Sequence, residues 1–290
     1  MADATTPARM AVIGAGTMGA GICYVFAAAG AEVTVAEPDP ARMTALRAQL
    51  AGAIAGGVSR GRLSADQAAA IPGLVSHVAS AAGLADGLDL VVESVPENLG
   101  LKRSVLTLVE ARAPAVLATN TSSLSIDALA SGLARPEAFI GMHFFNPVWS
   151  LPLVEIARGT ATSDLTLRRT RAAAQAIGKQ TVVVNDRPGF ATSRLDVATS
   201  LEAIRMVEEG VGEPAEIDRA IQLAYRHPVG PLRLADIVGL DVRLDIARAL
   251  SASLGPRFAP PDLLIRKVAA GELGRKTGIG FYDWTDPEPR

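Results

Sequence analysis

The sequence predicts an α/β protein, with an N-terminal Rossmann-like doubly wound sheet followed by an all-helical C-terminal domain. Two observations predict this class. Short β-branched apolar runs alternate with helical or turn-rich segments from residue 9 to residue 184, as in parallel sheets built from βαβ units. After N-D-R-P-G at residues 185–189 the strand pattern ends, and only helical patterns follow. We therefore predict a sheet domain over residues 1–187 and a helical domain over residues 188–290, with a ligand between them.

The first βαβ unit begins with the apolar run Arg9–Ile13, which meets G-A-G-T-M-G and then a helical pattern through Ala29. A glycine-rich turn between a strand and a helix is typical of a dinucleotide site. Its first glycine permits the tight turn, its second lets a pyrophosphate approach the backbone, and its third allows close helix packing. The helix N-terminus then directs N–H groups at the anion. The predicted cofactor-binding residues of this turn are Gly14, Gly16, Thr17, Met18 and Gly19.

The second predicted strand, E-V-T-V-A, ends at Glu37. A carboxylate at this position of a dinucleotide-binding fold accepts hydrogen bonds from the adenine ribose hydroxyls, and it repels the additional phosphate of NADP. Only Arg42 lies near enough in sequence to oppose that repulsion. The sequence therefore predicts NAD as the cofactor.

The remaining elements follow in order. Helical patterns over about Pro40 to Gly56 and up to Ile71 flank the polar turn S-R-G-R-L-S, and they predict a helical arm inserted in the sheet domain. Further strands are predicted at Leu74–Val78, Leu88–Glu93, Val116–Thr119, Phe139–Met142, Leu153–Ile156 and Thr181–Val184. C-terminal helices are predicted at about Ala191–Glu209, Pro214–Leu223, Leu232–Leu254 and Pro261–Ala270.

Composition excludes several classes of function. A formal net charge of -2 over 290 residues, without a run of like charges, argues against a nucleic-acid partner. We expect no membrane association and a cytoplasmic location, because no apolar run is long enough for a bilayer and the N-terminal residues lack a signal-peptide layout. The single cysteine, Cys23, lies in a predicted helix among apolar residues, which favours a packed thiol. We expect no metal site.

One of the three histidines has neighbours suited to catalysis. His77 lies in a plain strand-like run and His227 precedes a proline in a turn, whereas His143 follows a predicted strand at the carboxyl edge of the sheet. Glu155, on the next strand, can bond one imidazole nitrogen and stabilise the imidazolium. Oxidation of an alcohol needs such a base, since the hydroxyl proton leaves as hydride departs to the nicotinamide.

Several motifs together resemble the L-3-hydroxyacyl-CoA dehydrogenase family over nearly the whole chain. They are G-A-G-T-M-G-A-G-I, V-V-E-S-V-P-E-N, T-N-T-S-S-L-S-I, G-M-H-F-F-N-P-V, P-L-V-E-I, R-P-G-F, H-P-V-G-P-L-R-L-A-D-I-V-G-L-D and G-R-K-T-G-I-G-F-Y. The resemblance implies that His143 is the base, that Glu155 orients it, and that Ser122 bonds the substrate oxygen. It further implies that Glu97 and Lys102 contact the nicotinamide ribose. Asn120 and Asn146 would then lie beside the reacting centre.

The chain departs from the family pattern at three places. Many members carry Asn after P-G-F-x-x, where this chain has Ser193 with its single donor. The lysine that commonly precedes L-V-E is replaced by a proline, with Trp149 upstream as either a pocket-entrance residue or a packing residue. Coenzyme A phosphates are usually gripped by basic residues of the arm, and here Arg60 and Arg62 are the candidates, with solvated surface charges as the alternative.

The sequence thus predicts an NAD-dependent oxidoreductase that converts a short L-3-hydroxyacyl-CoA to the 3-ketoacyl-CoA, a reaction of fatty acid metabolism. If the arm does not bind coenzyme A, the thioester is tethered to an acyl carrier protein, as in relatives that build polyketide extender units, or the substrate is a free hydroxy acid. A non-catalytic NAD-binding protein is the alternative from another class, and Ser193 is its only support. The resemblance and the expected apolar faces of the small helical domain both favour a homodimer.

Overall fold

The structure is a computed structural model that describes residues 6–285. The chain divides into two compact units, Met1–Arg187 and Pro188–Arg290. No helix within residues 6–285 is long and apolar enough to cross a bilayer.

The first unit is built on one eight-stranded sheet with the strand order β3-β2-β1-β4-β5-β6-β7-β8. The strands are β1 (Arg9–Ile13), β2 (Glu32–Ala36), β3 (Val75–Val78), β4 (Leu90–Glu93), β5 (Leu117–Thr119), β6 (Phe139–Phe144), β7 (Leu153–Arg158) and β8 (Gln180–Asn185). Neighbouring strands are parallel except for β6 and β7, which run antiparallel. This sheet, with the helices that flank it, confirms the predicted Rossmann-like fold class.

Six α-helices accompany the sheet, and local capping explains several of their bounds. They are α1 (Thr17–Ala28), α2 (Pro40–Ser59), α3 (Ala65–Ala70), α4 (Leu99–Glu110), α5 (Ile126–Ala130) and α6 (Asp164–Ala176). Helix α2 begins at proline after the capping side chain of Asp39, and α3 begins with a capping box between Ser64 and Gln67. Helices α2 and α3 pack on each other as the predicted arm, and α2 continues three residues beyond Gly56.

The core of this unit lies between the sheet and α1. Cys23 is fully buried there, and burial raises the pKa of its thiol to about 12, so the prediction of a packed thiol is confirmed. His143 was expected after the end of its strand. The structure instead includes it in β6, because the ladder between β6 and β7 continues through the pair His143 and Glu155.

The second unit contains helices around its own core. They are α7 (Thr192–Glu208), α8 (Pro214–Tyr225), α9 (Pro231–Val238), α10 (Leu240–Leu254) and α11 (Asp262–Ala269). The prediction of one helix over Leu232–Leu254 was wrong. Gly239 adopts a φ of +108°, a left-handed conformation that ends α9 and lets α10 begin one residue later.

A buried carboxylate fastens the C-terminal segment of this unit. Asp236, fully buried at the end of α9, accepts hydrogen bonds from the backbone N–H groups of Phe281 and Tyr282 and from the indole N–H of Trp284. The Tyr282 hydroxyl in turn donates to buried Asp218 at 2.8 Å. Asp236 belongs to one C-terminal sequence motif, and Phe281 and Tyr282 belong to the other. These motif residues therefore have a structural function.

Candidate active site

A pocket of about 800 Å³ opens at the carboxyl ends of the parallel strands in the first unit. Strand order reverses direction between β1 and β4, and ligands of open α/β sheets bind at such a point. The predicted dinucleotide-binding residues and the predicted base line this same pocket. Its lining includes Gly14, Gly16, Glu37, Glu97, Ser122 and His143.

The glycine-rich turn requires its glycines for different reasons. Gly14 has a φ of +97°, and a Cβ there would lie 2.9 Å from the carbonyl oxygen of Ser94. A Cβ on Gly19 would lie 2.0 Å from the Gly14 carbonyl oxygen, so the helix can approach the turn only without a side chain. A Cβ on Gly16 would meet no atom within 4 Å, which leaves the backbone open to the pocket.

The N-terminus of α1 supplies the donors for an anion at this turn. Gly16 is its N-cap, and no side chain of the described residues caps the first turn or places an acid in it. The first backbone N–H groups of an α-helix have no partner within the helix and carry a partial positive charge. Exposed Thr17 and half-buried Met18 complete the wall at this helix end. The turn therefore fits a dinucleotide pyrophosphate.

Glu37 is held in place by its surroundings. Its carboxylate, 4% exposed, accepts hydrogen bonds from the backbone N–H groups of Ala15 and Asp39 at 2.9 and 3.0 Å. Its backbone carbonyl accepts a 2.8 Å hydrogen bond from Nε2 of His77, a residue for which the sequence predicts no role. A carboxylate has further lone pairs, and Glu37 lines the pocket, so it can still accept from ribose hydroxyls.

The strand register brings His143 and Glu155 together. They are paired residues on antiparallel β6 and β7, and Nδ1 of the imidazole lies 3.0 Å from a carboxylate oxygen. His143 is 7% exposed and Glu155 is fully buried. A carboxylate only accepts hydrogen bonds, so Nδ1 carries the proton and Nε2 is the nitrogen that can take another. The ring of Phe145 packs on the imidazole with centroids 4.2 Å apart.

Ser122 lies in a loop that Glu97 organises. One oxygen of Glu97 accepts from the Thr121 hydroxyl at 2.5 Å, from the backbone N–H groups of Ser122 and Ser123 at 3.2 Å, and from the Ser123 hydroxyl. Ser122 is half-buried and lines the pocket. The Ser125 side chain instead caps the N-terminus of α5, whereas Ser122 lines the pocket.

A buried ion pair lies beneath this loop. Lys102 is fully buried, and its ammonium bonds both oxygens of Glu93 at 2.8 and 3.0 Å and the Asn120 carbonyl at 3.2 Å. Lys102 does not line the pocket, and its ammonium lies 3.6 Å from a carboxylate oxygen of Glu97, which does; its contact with a nicotinamide ribose stays a prediction. Burial raises the pKa of Glu93, against the opposing effect of Lys102. The sequence predicts no role for Glu93, which is the last residue of an apolar strand.

Both units of the chain match family models of known proteins. Residues 9–187 match the family model described as 3-hydroxyacyl-CoA dehydrogenase, NAD binding domain, and residues 189–284 match the corresponding C-terminal domain. The chain belongs to the 3-hydroxyacyl-CoA dehydrogenase family. The predicted recognition, the enzyme class and NAD as the cofactor are thereby confirmed.

Relatives of this dehydrogenase match it along nearly its whole length. It is 41% identical over 281 residues to a 3-hydroxybutyryl-CoA dehydrogenase of Mycobacterium tuberculosis, covering 95% of this chain and 98% of the relative. The crystal structure of (S)-3-hydroxybutyryl-CoA dehydrogenase from Ralstonia eutropha superposes with a TM-score of 0.92 at 35% identity, covering 97% and 100% of the two chains. A diketoreductase that acts on dicarbonyl compounds gives 0.83 at 28% identity, covering 96% and 99%.

The remaining predicted residues of this dehydrogenase occupy different places. Half-buried Asn120 lines the pocket, and its side-chain oxygen accepts a hydrogen bond from the backbone N–H of Phe144, so it ties the end of β5 to β6. Asn146 is exposed in the loop that follows β6. Ser193 is half-buried in the first turn of α7 in the second unit.

The three predicted substrate residues outside the pocket wall share one surface. Trp149 is half-buried against the core, with its ring edge-on to Tyr24 at 6.2 Å, which favours the packing interpretation. Arg62 is exposed and donates to the Trp149 carbonyl at 3.4 Å. Arg60 is exposed at the C-terminal end of α2. None of these residues lines the 800 Å³ pocket.

Proposed function

We propose that this protein oxidises the C3 hydroxyl of a short L-3-hydroxyacyl-CoA to the 3-ketoacyl-CoA, reversibly, with NAD as the acceptor. One observation carries the proposal: a single pocket holds the glycine-rich turn and Glu37 together with Ser122 and His143. A cofactor bound along the turn and a substrate bound at the imidazole are therefore neighbours. Bound NAD supplies the site that accepts hydride from C3.

The proton path uses groups of the first unit. Nδ1 of His143 donates to buried Glu155, which leaves Nε2 to accept the proton of the substrate hydroxyl. The carboxylate of Glu155 offsets the positive charge that the imidazole gains. A base positioned in this way contributes on the order of 10²–10⁴ to the rate.

Neutral hydrogen-bond donors position the substrate in this proposal. The Ser122 hydroxyl lies on the pocket wall, in a loop whose backbone is fixed by Glu97. Asn146 and Ser193 are proposed to contact the acyl portion, with the shorter Ser193 acting through a water where relatives have an amide. Arg60 and Arg62 are proposed to meet the coenzyme A phosphates.

The same chemistry on a substrate without coenzyme A is the second candidate. Two observations favour it: Arg62 is engaged with the Trp149 carbonyl, and a structural relative is a diketoreductase for dicarbonyl compounds. Such a substrate is a carrier-protein thioester or a free acid. The chemistry at His143 is unchanged in this case.

A three-substrate assay tests both candidates. Consumption of NADH is followed with acetoacetyl-CoA, with acetoacetyl carrier protein and with free acetoacetate, each repeated with NADPH. We expect rapid turnover of acetoacetyl-CoA with NADH. Preference for the carrier protein or the free acid would establish the second candidate, and turnover on none of the three would refute both.

We further propose a homodimer formed through the helical unit. Its surface exposes large apolar side chains, including Leu195 at 67%, Leu223 at 70% and Tyr225 at 73%. Exposed apolar surface of this kind is typical of association sites. Light scattering coupled to size exclusion should give twice the mass of the chain. A monomer at micromolar concentration would refute this proposal.

A further inference from the structure

A buried lysine with no acidic partner lies behind the loop that joins the two strands of the proposed base. Lys179 follows α6 directly before β8 and is 8% exposed. Its ammonium donates to the backbone carbonyls of Val148 and Leu151 at 2.5 and 2.6 Å. Within residues 6–285 it forms no ion pair. Both carbonyls belong to residues 145–152, here called the β6–β7 loop.

The β6–β7 loop is also held from two other sides. Arg62 donates to the carbonyl of Trp149, between the two carbonyls that Lys179 holds. The buried side chain of Val148 packs onto Gly21 of α1, where a Cβ would lie only 2.7 Å from its methyl carbon. Two cationic side chains therefore hold three loop carbonyls, while α1 provides the surface on which the loop rests.

The first residues of this loop adjoin the reaction site. The ring of Phe145 packs against the imidazole of His143, and Asn146 follows it. His143 and Glu155 are fixed by the β6 and β7 ladder, so they do not depend on the loop for their own pairing. Phe145 and Asn146, by contrast, have positions set by the path of the loop.

Stability alone does not account for a lysine at this position. Burial and the nearby charge of Arg62 lower the pKa of Lys179, so the protonated form is disfavoured in the folded protein. A buried charge is costly unless its surroundings compensate for it, and an apolar replacement is often tolerated. What the lysine provides is a pair of hydrogen bonds that fix the positions of two specific loop carbonyls.

We infer that Lys179 is a positioning residue for the dehydrogenase reaction, holding the β6–β7 loop so that Phe145 and Asn146 are placed beside the base. This inference rests on the proposed function of the pocket. Displacement of a reacting group by about 1 Å can cost on the order of 10²-fold in rate. Loss of the Lys179 hydrogen bonds should therefore let the β6–β7 loop move, which lowers kcat and raises KM for the acyl substrate but leaves KM for NAD unchanged.

The test compares Lys179→Met, which removes the donors, with Lys179→Arg, which retains them. Lys267→Met is the matched control, because Lys267 also donates to a backbone carbonyl, that of Gly280, but lies in the second unit. We expect Lys179→Met to lose about 10–100-fold in kcat, Lys179→Arg to recover most of it, and Lys267→Met to keep the wild-type constants. Lys179→Leu, shorter and also without a donor, replaces Lys179→Met if that variant does not fold.

Hydrogen exchange supplies a readout that needs no turnover. The amides of Ser150 and Leu151 both donate to the Pro147 carbonyl, so they report whether the loop keeps its turn. Faster exchange of this peptide in Lys179→Met, restored in Lys179→Arg, supports the inference. Unchanged exchange, or faster exchange with an unchanged kcat, overturns it. Wild-type protein that turns over none of the three acetoacetyl substrates refutes the proposed function, while loop exchange still decides whether Lys179 holds the loop.

Discussion

Replacing Glu155 by glutamine removes one charge from the buried pair and keeps its shape. The carboxylate oxygen and Nδ1 of His143 are 3.0 Å apart, and both side chains are buried. At an effective dielectric constant of about 20, unit charges at this separation attract by roughly 5 kcal/mol. The glutamine oxygen still accepts the Nδ1–H, and a hydrogen bond to a charged group contributes about 2 kcal/mol, so we expect about 3 kcal/mol of this stabilisation of the imidazolium to be lost.

A loss of this size corresponds to on the order of 10²-fold in kcat. The assay is steady-state oxidation of 3-hydroxybutyryl-CoA by Glu155→Gln, with NAD binding measured separately and expected to be unchanged. Glu32→Gln, at the exposed start of β2, is the control and should behave as wild type. If Glu155→Gln kept a kcat near that of the wild type, the carboxylate would not stabilise a proton on His143, and the proposed path would be wrong.

Three other substitutions or reactions test the account. In Gly19→Ala the new Cβ meets the Gly14 carbonyl at 2.0 Å, so the turn must move and KM for NAD should rise at least about tenfold; a wild-type KM would contradict the fit to a pyrophosphate. The thiolate is the reactive form of cysteine, so Cys23, with its pKa raised to about 12, should react with a disulfide reagent near neutral pH only after unfolding, and reaction would grow as the pH approaches that value. Asp236→Ala leaves one buried and two partly buried donors without their acceptor and should lower the free energy of unfolding by about 3 kcal/mol in urea titrations, whereas exposed Asp245→Ala should have little effect.

The fold was predictable because its signals are local. A strand, a glycine-rich turn and a helix follow one another without interruption, and Glu37 lies at the end of the next strand. Hydrophobic periodicity placed each strand to within a few residues. The same periodicity continued across Gly239, where one left-handed residue divides α9 from α10, and periodicity cannot show a single φ angle.

The positions of the side chains were less predictable, since they depend on long-range packing. Proximity of His143 and Glu155 followed from adjacent strands, whereas the burial of Lys102 depends on Glu93 and Thr119 from two other strand ends. The Thr119 hydroxyl donates to Glu93 at 2.6 Å, a contact between residues 26 apart in sequence. No short motif carries such information, and a buried ion pair reads in sequence as two surface charges.

The arm residues illustrate the same limit. Arg62 was chosen for its charge on a polar turn, yet its observed partner is the main-chain carbonyl of Trp149, 87 residues away. Residue type alone cannot distinguish a cation that meets a phosphate from one that holds a loop. No sequence motif marks Lys179, which follows a helix directly before an ordinary strand.

We propose that His143 takes the substrate proton in the pocket that also holds the glycine-rich turn. The most direct test of this proposal is His143→Ala, assayed with acetoacetyl-CoA and NADH beside the wild type, with NADH affinity measured on both proteins. We expect a turnover lower by on the order of 10²–10⁴-fold and an unchanged affinity for NADH. Turnover equal to that of the wild type would contradict the proposal.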